Sequence, residues 1–539
     1  VKAPVYRMTH RADTIGVFQI ESRAQMSMLP RLQPEEFYDL VIEVAIVRPG
    51  PIQGDMVHPY LKRRQKLEPV ESLSPELDAV LHRTKGIPLF QEQAMQIAIV
   101  AAGFTPGEAD KLRRAMATFR RNGTIHTLKD RFLSGMKKNG YPDDFAQRCF
   151  AQIEGFGDYG FPESHAASFA LLVYASCWMK CHYPDVFACA LLNSQPMGFY
   201  SPAQIVRDAV EHGVELRGAD VNRSDWLHVL EDGTPARERL AKQHAEMRDD
   251  ILSTKAIRLG LRQVIGLKQD HANLIVARRE NGYASIRDLW VRTGIPVATL
   301  EKLAEADAFG SMGLNRREAL WVVRGLNGVA GAEQLPLFAI SKKVSKPDDA
   351  ETDLPVMAPG ESVVHDYRTL SLSLKGHPVG FLRPELDRRG TLRCADLIDR
   401  PNGAIVEAAG LVLVRQQPGT ASGVIFMTLE DETGIANIIV WNKTFDKNRR
   451  VVLSSRLLAV RGQLQREGLV THLVSRSFTD FTPSLLDLAQ GLDIGNAVLA
   501  HGADGRRGPP PGRDEGERRR REQLDREAYA ALPSGRNFH

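Results

Sequence analysis

The residues with the clearest chemical potential in this sequence are two adjacent arginines, Arg113 and Arg114. They follow Thr105, Pro106 and Glu108, which supply a capping hydroxyl, a proline for the first helical turn and an acid near the helix N-terminus. This pattern predicts a helix from about residue 106 to residue 116, with both arginines on the sides of one exposed turn. Two guanidinium groups placed in this way can bind a phosphate through paired hydrogen bonds.

Three further residues are candidates for contact with an anion. Ser164 and His165 follow a glycine-rich stretch at residues 155–160, and they are predicted to lie at the N-terminus of a long helix, where backbone amides favour an anion. His165 can instead be a capping or packing residue. Arg48 is held in a rigid turn by the prolines that follow it, and from there it can reach a phosphate or a structural carboxylate such as Glu43.

Metal chemistry has little support in the sequence. No Asp-x-Asp pair occurs, and the adjacent acids at 143–144, 249–250 and 348–349 fall in segments that are predicted to be loop or helix surface. Cys177 and Cys181 lie one helical turn apart and precede His182, but no second ligand pair follows at zinc spacing. We interpret both cysteines as small core residues. These patterns predict no metal site, and no catalytic residue is proposed among them.

The composition describes a globular protein of several domains. The chain has 539 residues, of which 43% are hydrophobic and 25% charged, and this length exceeds what one core can organise. Five cysteines, odd in number, argue against a disulfide framework and favour a reducing, cytoplasmic location. The longest apolar run, near residues 165–179, is too short to span a membrane. Because the chain begins without a methionine, we expect it to be a piece of a longer protein.

The net charge of +4 is unevenly distributed along the chain. Residues 111–138 contain nine lysines or arginines and a single acid, Asp130. Such a cluster favours a polyanionic partner. A second basic stretch, near residues 506–526, is rich in proline, glycine and acids as well, and is typical of a solvated tail.

The changes in periodicity predict a multidomain fold. We predict a mainly α-helical region at 1–253, a module of short helices at 254–330, a linker at 331–402, a β barrel at 403–480 and a flexible basic tail at 481–539. In the second segment, two helical stretches flank Ile265-Gly266-Leu267 and resemble a helix-hairpin-helix, which presents backbone amides to a nucleic-acid phosphate. An ordinary helical hairpin is the alternative.

The barrel segment has the pattern of an OB fold. Five short runs of alternating residues follow within about 75 residues, a pattern that suits the five-stranded barrel found in many single-strand binders. Phe426, Trp441 and Phe445 can stack on bases, although each can equally be a core residue.

Several long strings in the first 200 residues resemble one family. They are GVFQIESRAQM, VAIVRPGPIQGDMV, IPLFQEQAMQIA, ADKLRRAMATFRR and GFGDYGFPESHAASFALLVY. In this order they are similar to the fingers region of bacterial C-family DNA polymerases, the family of the polymerase III alpha subunit. MATFRR, the later LKGHPVGFLR and the terminal SGRNFH are similar to the error-prone, damage-tolerant branch. The resemblance extends, with weaker motifs, over nearly the whole chain.

The resemblance implies roles for individual residues. It places Arg113 and Arg114 at the incoming triphosphate, with Ser164, His165 and Arg48 near the same pocket. The candidate DNA contacts are Lys111, Arg120, Arg121, Gly266 and Lys268. The string Gln334-Leu335-Pro336-Leu337-Phe338 resembles the bacterial sliding-clamp-binding peptide, whose clamp-binding residues would be Gln334, Leu335, Leu337 and Phe338. In the family, palm aspartates that lie upstream of this chain hold two Mg²⁺ ions, so Mg²⁺ is expected only in the full-length enzyme.

The sequence therefore predicts the C-terminal half of an error-prone DNA-directed DNA polymerase that acts in replication and in damage-induced translesion repair. Its expected partners are primer-template DNA, single-stranded template, dNTP, the sliding clamp and damage-response accessory proteins, and no membrane. This half alone is expected to be inactive. Two alternatives stay open: a stand-alone, clamp-tethered DNA-binding module without catalysis, and, more remotely, a tRNA-binding accessory protein.

Overall fold

The computed structural model describes residues 4–47, 53–70, 74–117, 126–155, 162–197, 200–326, 354–417, 423–467, 470–489 and 536–538. The chain forms two compact units. One comprises Val1–Phe187 with Asp249–Ile251, and the other comprises Ala188–Arg248 with Leu252–His539.

The first unit is helical. Its helices are α1 (Pro4–His10), α2 (Arg23–Leu32), α3 (Phe37–Ile46), α4 (Gln53–Arg64), α5 (Pro75–Leu81), α6 (Gln91–Val100), α7 (Pro106–Ala117), α8 (His126–Lys138), α9 (Asp143–Gly155) and α10 (Glu163–His182). The centre of the unit is α10 packed along α3, which is buried from Asp39 to Ile46. The helix predicted near 164–182 is confirmed, and it ends at the residue before Tyr183-Pro184 because proline cannot continue the helical hydrogen bonding.

The second unit begins with more helices and a small sheet. The helices are α11 (Pro184–Asn193), which crosses the division between the units, α12 (Pro202–Glu211), α13 (Gln269–Ala277), α14 (Ile286–Thr293), α15 (Val297–Glu305) and α16 (Arg316–Gly325). Strand β3 (Lys255–Arg258) lies between β1 (Glu215–Arg217), which is parallel to it, and β2 (Val229–Asp232), which is antiparallel. This sheet joins residues on both sides of the domain boundary predicted at 253, so the structure does not divide the chain there.

The C-terminal part of the second unit is a closed five-stranded barrel, as expected for an OB fold. Its strands are β4 (Ile405–Gln416), β5 (Ile425–Glu430), β6 (Ile435–Val440), β7 (Leu457–Glu467) and β8 (Val470–Asp480), with helix α19 (Asn442–Ser454) between β6 and β7. The strands pair in the order β4-β5-β6-β8-β7, and β7 pairs again with β4, which closes the barrel. The predicted fold class is therefore confirmed.

Strand β4 closes the barrel because it bends. It pairs with β7 over its first half and with β5 over its second, and its register shifts between Val412 and Val414. Gly410 lies at the bend, where a Cβ atom would be 2.6 Å from the carbonyl oxygen of Glu430. Only glycine permits that approach of the two strands. The interior is filled by aliphatic side chains such as Met427, Ile438 and Val460.

The segments predicted as linker and tail are more ordered than expected. Helices α17 (Pro359–Leu370) and α18 (Pro378–Arg388) lie within the predicted linker 331–402, and α20 (Thr482–Ala489) lies within the predicted tail 481–539. All three pack on the outer face of β4 and β7 through residues such as Leu382, Leu386 and Leu485. Strand β9 (Arg536–Phe538), also in the predicted tail, pairs with the end of β4. The reason for the difference is their apolar faces, which find a partner only once the barrel has formed.

Two further features of the fold are the state of its cysteines and the apolar content of its helices. All five cysteines are buried free thiols. Among the helices that the structure describes, none combines the length and the apolar composition needed to cross a lipid bilayer.

Candidate nucleotide and DNA interface

Helix α7 begins as the sequence predicts. The backbone amide of Thr105 donates to Oε2 of Glu108 at 2.7 Å, and the amide of Glu108 donates to Oγ1 of Thr105 at 3.3 Å. This reciprocal pair satisfies two amides that the helix cannot satisfy itself. The hydrogen bond from the Thr105 amide is also the main cause that lowers the pKa of Glu108. Leu112 is fully buried and holds the helix against the unit.

Arg113 and Arg114 share one carboxylate, which the sequence reasoning overlooked. Asp110 Oδ1 accepts hydrogen bonds from Nε and Nη2 of Arg113 at 3.1 and 2.9 Å, and its Oδ2 lies 2.7 Å from Nη2 of Arg114. The hydrogen bond from Arg113 is the main cause that lowers the pKa of Asp110. The spacings of three and four residues were the available signal. Asp110 therefore orients both guanidinium groups and cancels one of their two charges.

The two arginines remain accessible despite this carboxylate. The side chain of Arg114 is 73% exposed and that of Arg113 is 40% exposed. Lys111, on the same helix, is also exposed. Helix α7 thus presents three cations near Asp110, with a second carboxylate, Glu108, in its first turn. The three cations suit contact with a polyphosphate.

Other cations of the 111–138 cluster serve the fold instead. Arg131, on α8, donates to the carbonyl oxygens of Ala102 and Gly103 at 3.0 and 2.8 Å, and its guanidinium lies 4.9 Å from the centre of the Phe104 ring. Gly135 lets α8 approach this loop, since a Cβ atom there would be 2.0 Å from the carbonyl oxygen of Ala102. The basic cluster is therefore a mixture of structural and solvent-facing cations.

The N-terminus of α10 is already partly occupied by a carboxylate. The amide of Glu163 donates to Oε2 of Glu92 at 2.9 Å, and the hydroxyl of Tyr38 donates to Oε1 of Glu163 at 2.7 Å. Burial, followed by the bond with Glu163, raises the pKa of Tyr38. Ser164 and His165 are exposed in the first turn, as predicted. An added anion would meet two nearby acids, so the site is less favourable to anions than the sequence indicated.

His165 packs against an aromatic pair. Its ring centre is 4.2 Å from that of Phe169, which in turn stacks on Phe18 at 5.2 Å. This contact agrees with the packing alternative for His165, while its exposure leaves contact with a ligand open.

Glu43, the structural carboxylate that the sequence offers to Arg48, is buried in the structure. It is fully buried on α3, and neither oxygen of its carboxyl group has a hydrogen-bond partner among the residues that the structure describes. Burial raises the pKa of Glu43 well above its ordinary value. Arg48 itself lies outside the described residues, as do Arg120 and Arg121, so their roles stay predictions.

The hairpin at Gly266 is exposed and has the backbone geometry that glycine provides. Gly266 has a φ of +75°, and its carbonyl oxygen accepts a hydrogen bond from Nζ of Lys302 at 2.6 Å. Lys268 is exposed and precedes the first residue of α13. Within the described part of the chain, the amides of Gly266 and Lys268 have no hydrogen-bond partner. Two amides therefore face solvent at a helix N-terminus, which is the arrangement that a phosphate requires.

The first arm of this hairpin differs from the prediction. A short 3₁₀ turn at Leu261–Gln263 precedes Gly266 where the sequence predicted a helical stretch. The amide of Ile265 donates to the carbonyl oxygen of Thr369 at 2.9 Å. The conformation of this arm is therefore stabilised by a contact with a residue far away in sequence, rather than by local helical propensity.

The adjacent acids that the structure describes lie in ion pairs. Asp143 and Asp144 begin α9, where they pair with Lys137 at 3.3 Å and with Arg148 at 3.4 Å. Asp250 pairs with Arg7 at 2.7 Å. The absence of a metal site from this chain stays a prediction.

Cys177 and Cys181 are core residues, as we interpreted them. Both are fully buried, and burial raises the pKa of Cys181 to about 12. His182 faces the carbonyl oxygen of Asp250, with its Nδ1 at 2.7 Å from that atom. This burial agrees with the interpretation of both cysteines as small core residues.

The aromatic residues of the barrel divide between core and surface. Phe445 belongs to the barrel core, and Phe426 is half-buried on β5. Trp441 is 55% exposed at the start of α19. Of the three, Trp441 has the exposure that base stacking needs. The residues predicted to bind the clamp, Gln334, Leu335, Leu337 and Phe338, lie outside the described residues.

Comparison with known families first defines the class of protein. Residues 2–140 match the model of the bacterial DNA polymerase III alpha subunit finger domain. Residues 213–319 match a helix-hairpin-helix motif, and residues 406–473 match an OB-fold nucleic acid binding domain. The three matches follow one another along the chain without overlap.

Individual relatives define the branch. The chain is 57% identical to the error-prone DNA polymerase of Sinorhizobium medicae (strain WSM419) and to error-prone DNA polymerase 1 of Rhizobium meliloti (strain 1021), in each case over 99% of this chain and 49% of the relative. It is 55% identical to the error-prone DNA polymerase of Mesorhizobium japonicum, over 99% of this chain and 48% of the relative. The chain is similar to these error-prone DNA polymerases over nearly its whole length, and it spans about half the length of the relatives.

Proposed function

We propose that this chain is the C-terminal half of an error-prone DNA-directed DNA polymerase, which works in replication and in translesion repair of damaged DNA. The observation that carries the proposal is the succession of fingers, hairpin module and OB barrel in a chain that is 57% identical, over 99% of its length, to a named error-prone polymerase.

In this function, α7 binds the triphosphate of the incoming nucleotide. Arg113 and Arg114 are presented side by side, and Asp110 holds them in a fixed orientation, which reduces the conformational entropy lost when a phosphate binds. The shared carboxylate leaves one net positive charge on the pair. The nucleotide can therefore be released if it does not pair correctly with the template.

The second unit holds DNA. The solvent-facing amides of Gly266 and Lys268 bind a backbone phosphate without reading sequence, which suits an enzyme that must accept any template. The barrel binds single-stranded template, with the exposed ring of Trp441 as a stacking surface.

The remaining partners complete the proposal. Divalent metal ions, usual for DNA polymerases, supply the electrostatic stabilisation of phosphoryl transfer, and the acids that hold them belong to the other half of the enzyme. Residues 334–338 bind the sliding clamp, and damage-response proteins act as accessory partners. A cytoplasmic location is part of the same proposal.

The test is primer extension with two proteins. The 539-residue chain alone should bind primer-template DNA without extending it, whereas the full-length enzyme should extend it. Primer extension by the chain alone would contradict the proposal that the catalytic acids lie in the other half of the enzyme. If the full-length enzyme did not extend the primer, the stand-alone DNA-binding module would be favoured. Replacing Leu337 and Phe338 by Ala should abolish co-elution with the sliding clamp, and unchanged co-elution would show that the motif is unused.

A further inference from the structure

A cleft of about 470 Å³ opens on the outside of the barrel, beside the helices that cover part of the same face. Helices α17, α18 and α20 cover the outer face of β4 and β7 at Ala409, Leu411 and Leu457. Further along the two strands the face is uncovered, and Glu407 and Arg461, which pair in register, line the cleft there. The volume lies within the range of ordinary ligand sites.

Three arginines surround the cleft. Arg389 comes from the end of α18, Arg400 from the loop before β4, and Arg461 from β7. All three are exposed. The side chains of Arg400 and Arg461 have no ion-pair or hydrogen-bond partner within the described part of the chain. Unpaired guanidinium groups that converge on one concave surface attract an anion.

A single carboxylate lines the cleft, and it is already bound. Oε1 of Glu407 accepts a hydrogen bond from the hydroxyl of Thr391 at 3.0 Å and lies 3.9 Å from Nε of Arg389. Arg389 is also fixed by the ring of Phe481, whose centre is 4.8 Å from its guanidinium carbon. The lining therefore keeps a net charge of about +2, with Arg400 and Arg461 as its two unpaired cations among the described residues.

The floor of the cleft is apolar. Leu392, Pro401 and Ile405 line it, and Ile405 is 50% exposed. Double-stranded DNA presents phosphates on its outside and would gain nothing from this floor. A single strand offers phosphates to the arginines, and its sugars and unstacked bases can cover the apolar residues.

We infer that this cleft is a second binding site for single-stranded DNA on the barrel, in which Arg400 and Arg461 contact phosphates and Ile405 contacts a sugar or base. OB folds bind single strands across their second and third strands, which are β5 and β6 here. The cleft lies on β4 and β7, apart from that surface. The inference rests on the proposed function, since it assumes that this protein handles DNA.

The test compares two double variants of the chain. Arg400→Gln with Arg461→Gln removes the two cations of the cleft, and Lys443→Gln with Arg450→Gln removes two exposed cations from α19 on the same barrel. Binding of fluorescent oligothymidylate is measured by anisotropy at several salt concentrations. We expect the cleft variant to bind roughly tenfold more weakly at low salt, and its salt slope to fall by about 1.4, because each phosphate contact on a single strand contributes about 0.7. The control variant should match the parent.

A cross-link locates the strand independently. Because the five native cysteines are buried, Ile405→Cys can be labelled selectively with a benzophenone maleimide. Irradiation should attach oligothymidylate at residue 405, and Leu453→Cys, on α19, is the matched exposed control.

The outcomes separate the two proposals. If the parent chain binds no DNA, both the proposed function and this site fail. If the parent binds but the cleft variant equals the control variant, or residue 405 gives no more cross-link than residue 453, the cleft site alone fails. Displacement of the oligonucleotide by a polyglutamate peptide of equal charge at equal concentration would assign the cleft to an acidic protein segment and would also overturn the inference.

Discussion

Asp110 Oδ2 lies 2.7 Å from Nη2 of Arg114, one helical turn along α7. The same carboxylate accepts two hydrogen bonds from Arg113, so one acid orients both arginines that we propose to bind the nucleotide. An acid in a phosphate-binding cluster lowers the net positive charge but keeps the guanidinium groups in place. The effect of Asp110 on nucleotide incorporation can therefore be measured directly.

Arg113→Ala with Arg114→Ala should reduce nucleotide capture by the full-length enzyme by about 100-fold or more in kcat/KM, since two charge-assisted contacts are lost. The salt slope of DNA binding should change little, because the arginines contact the nucleotide. Asp110→Asn should have a smaller effect, of about tenfold or less, through orientation alone. Single-nucleotide incorporation kinetics measure both variants, and DNA titrations at several salt concentrations measure the slope. Parental kinetics for the double variant would show that the two arginines do not bind the nucleotide.

Gly266→Ala should weaken binding of duplex DNA. An alanine at a φ of +75° costs about 1–2 kcal/mol, and its Cβ atom would lie 3.0 Å from Nζ of Lys302. The exposed hairpin would then change shape and misplace the amides of Gly266 and Lys268. Gly325→Ala is the control, since a Cβ atom there meets nothing within 4 Å. Equal duplex affinity for both variants would show that the hairpin does not contact DNA.

Lys180→Met should destabilise the first unit strongly. Nζ of Lys180 lies 2.9 Å from Oδ1 of Asp13, both side chains are buried, and the same ammonium donates to the carbonyl oxygen of Ile15 at 3.2 Å. Removing one partner of a buried ion pair costs about 3–5 kcal/mol. Urea unfolding measures the loss. Lys111→Met, at an exposed position, should change the free energy of unfolding by less than about 0.5 kcal/mol, and a similar value for Lys180→Met would contradict the importance of the pair.

Glu43→Gln should change how stability depends on pH. Burial raises the folded-state pKa of Glu43, so the folded protein holds this proton more tightly than the unfolded chain does. The stability that the proton contributes is complete below the ordinary pKa of 4.5 and is lost as the pH rises toward the folded-state pKa. Relative to Glu43→Gln, the parent should lose about 1.4 kcal/mol for each pH unit in this window.

Unfolding by urea at several pH values measures this difference. A difference between the parent and Glu43→Gln that stays constant with pH would show that the carboxyl group is ionised in the folded protein. That result would support the prediction that Arg48 reaches Glu43, and it would argue against a neutral Glu43 carboxyl group.

Much of the local structure could be predicted because it depends on neighbouring residues. The start of α7 follows from Thr105 and Glu108, and the end of α10 follows from the proline after Tyr183. The five strands of the barrel were recognised from alternation, which reports directly that one face of a strand is buried.

Parts of the candidate site could not be predicted, because they depend on residues far apart in sequence. Nothing in the sequence near Glu163 indicates that Glu92 binds its amide, and nothing near Arg131 indicates the carbonyl groups of the loop at 102–103. Asp110 is the exception, since its spacing from Arg113 and Arg114 was readable and was overlooked.

The sequence by itself determined the family, through long motifs in a fixed order, and the types and approximate limits of the elements, through periodicity and caps. The tertiary structure alone decided which charges remain available to a ligand. Arg131 donates hydrogen bonds to backbone carbonyl groups. Arg400 and Arg461 instead reach solvent beside the apolar floor of the cleft on the barrel. The physical reason is that a charge is free or paired according to what folding brings within a few ångströms of it, and that neighbour comes from elsewhere in the chain.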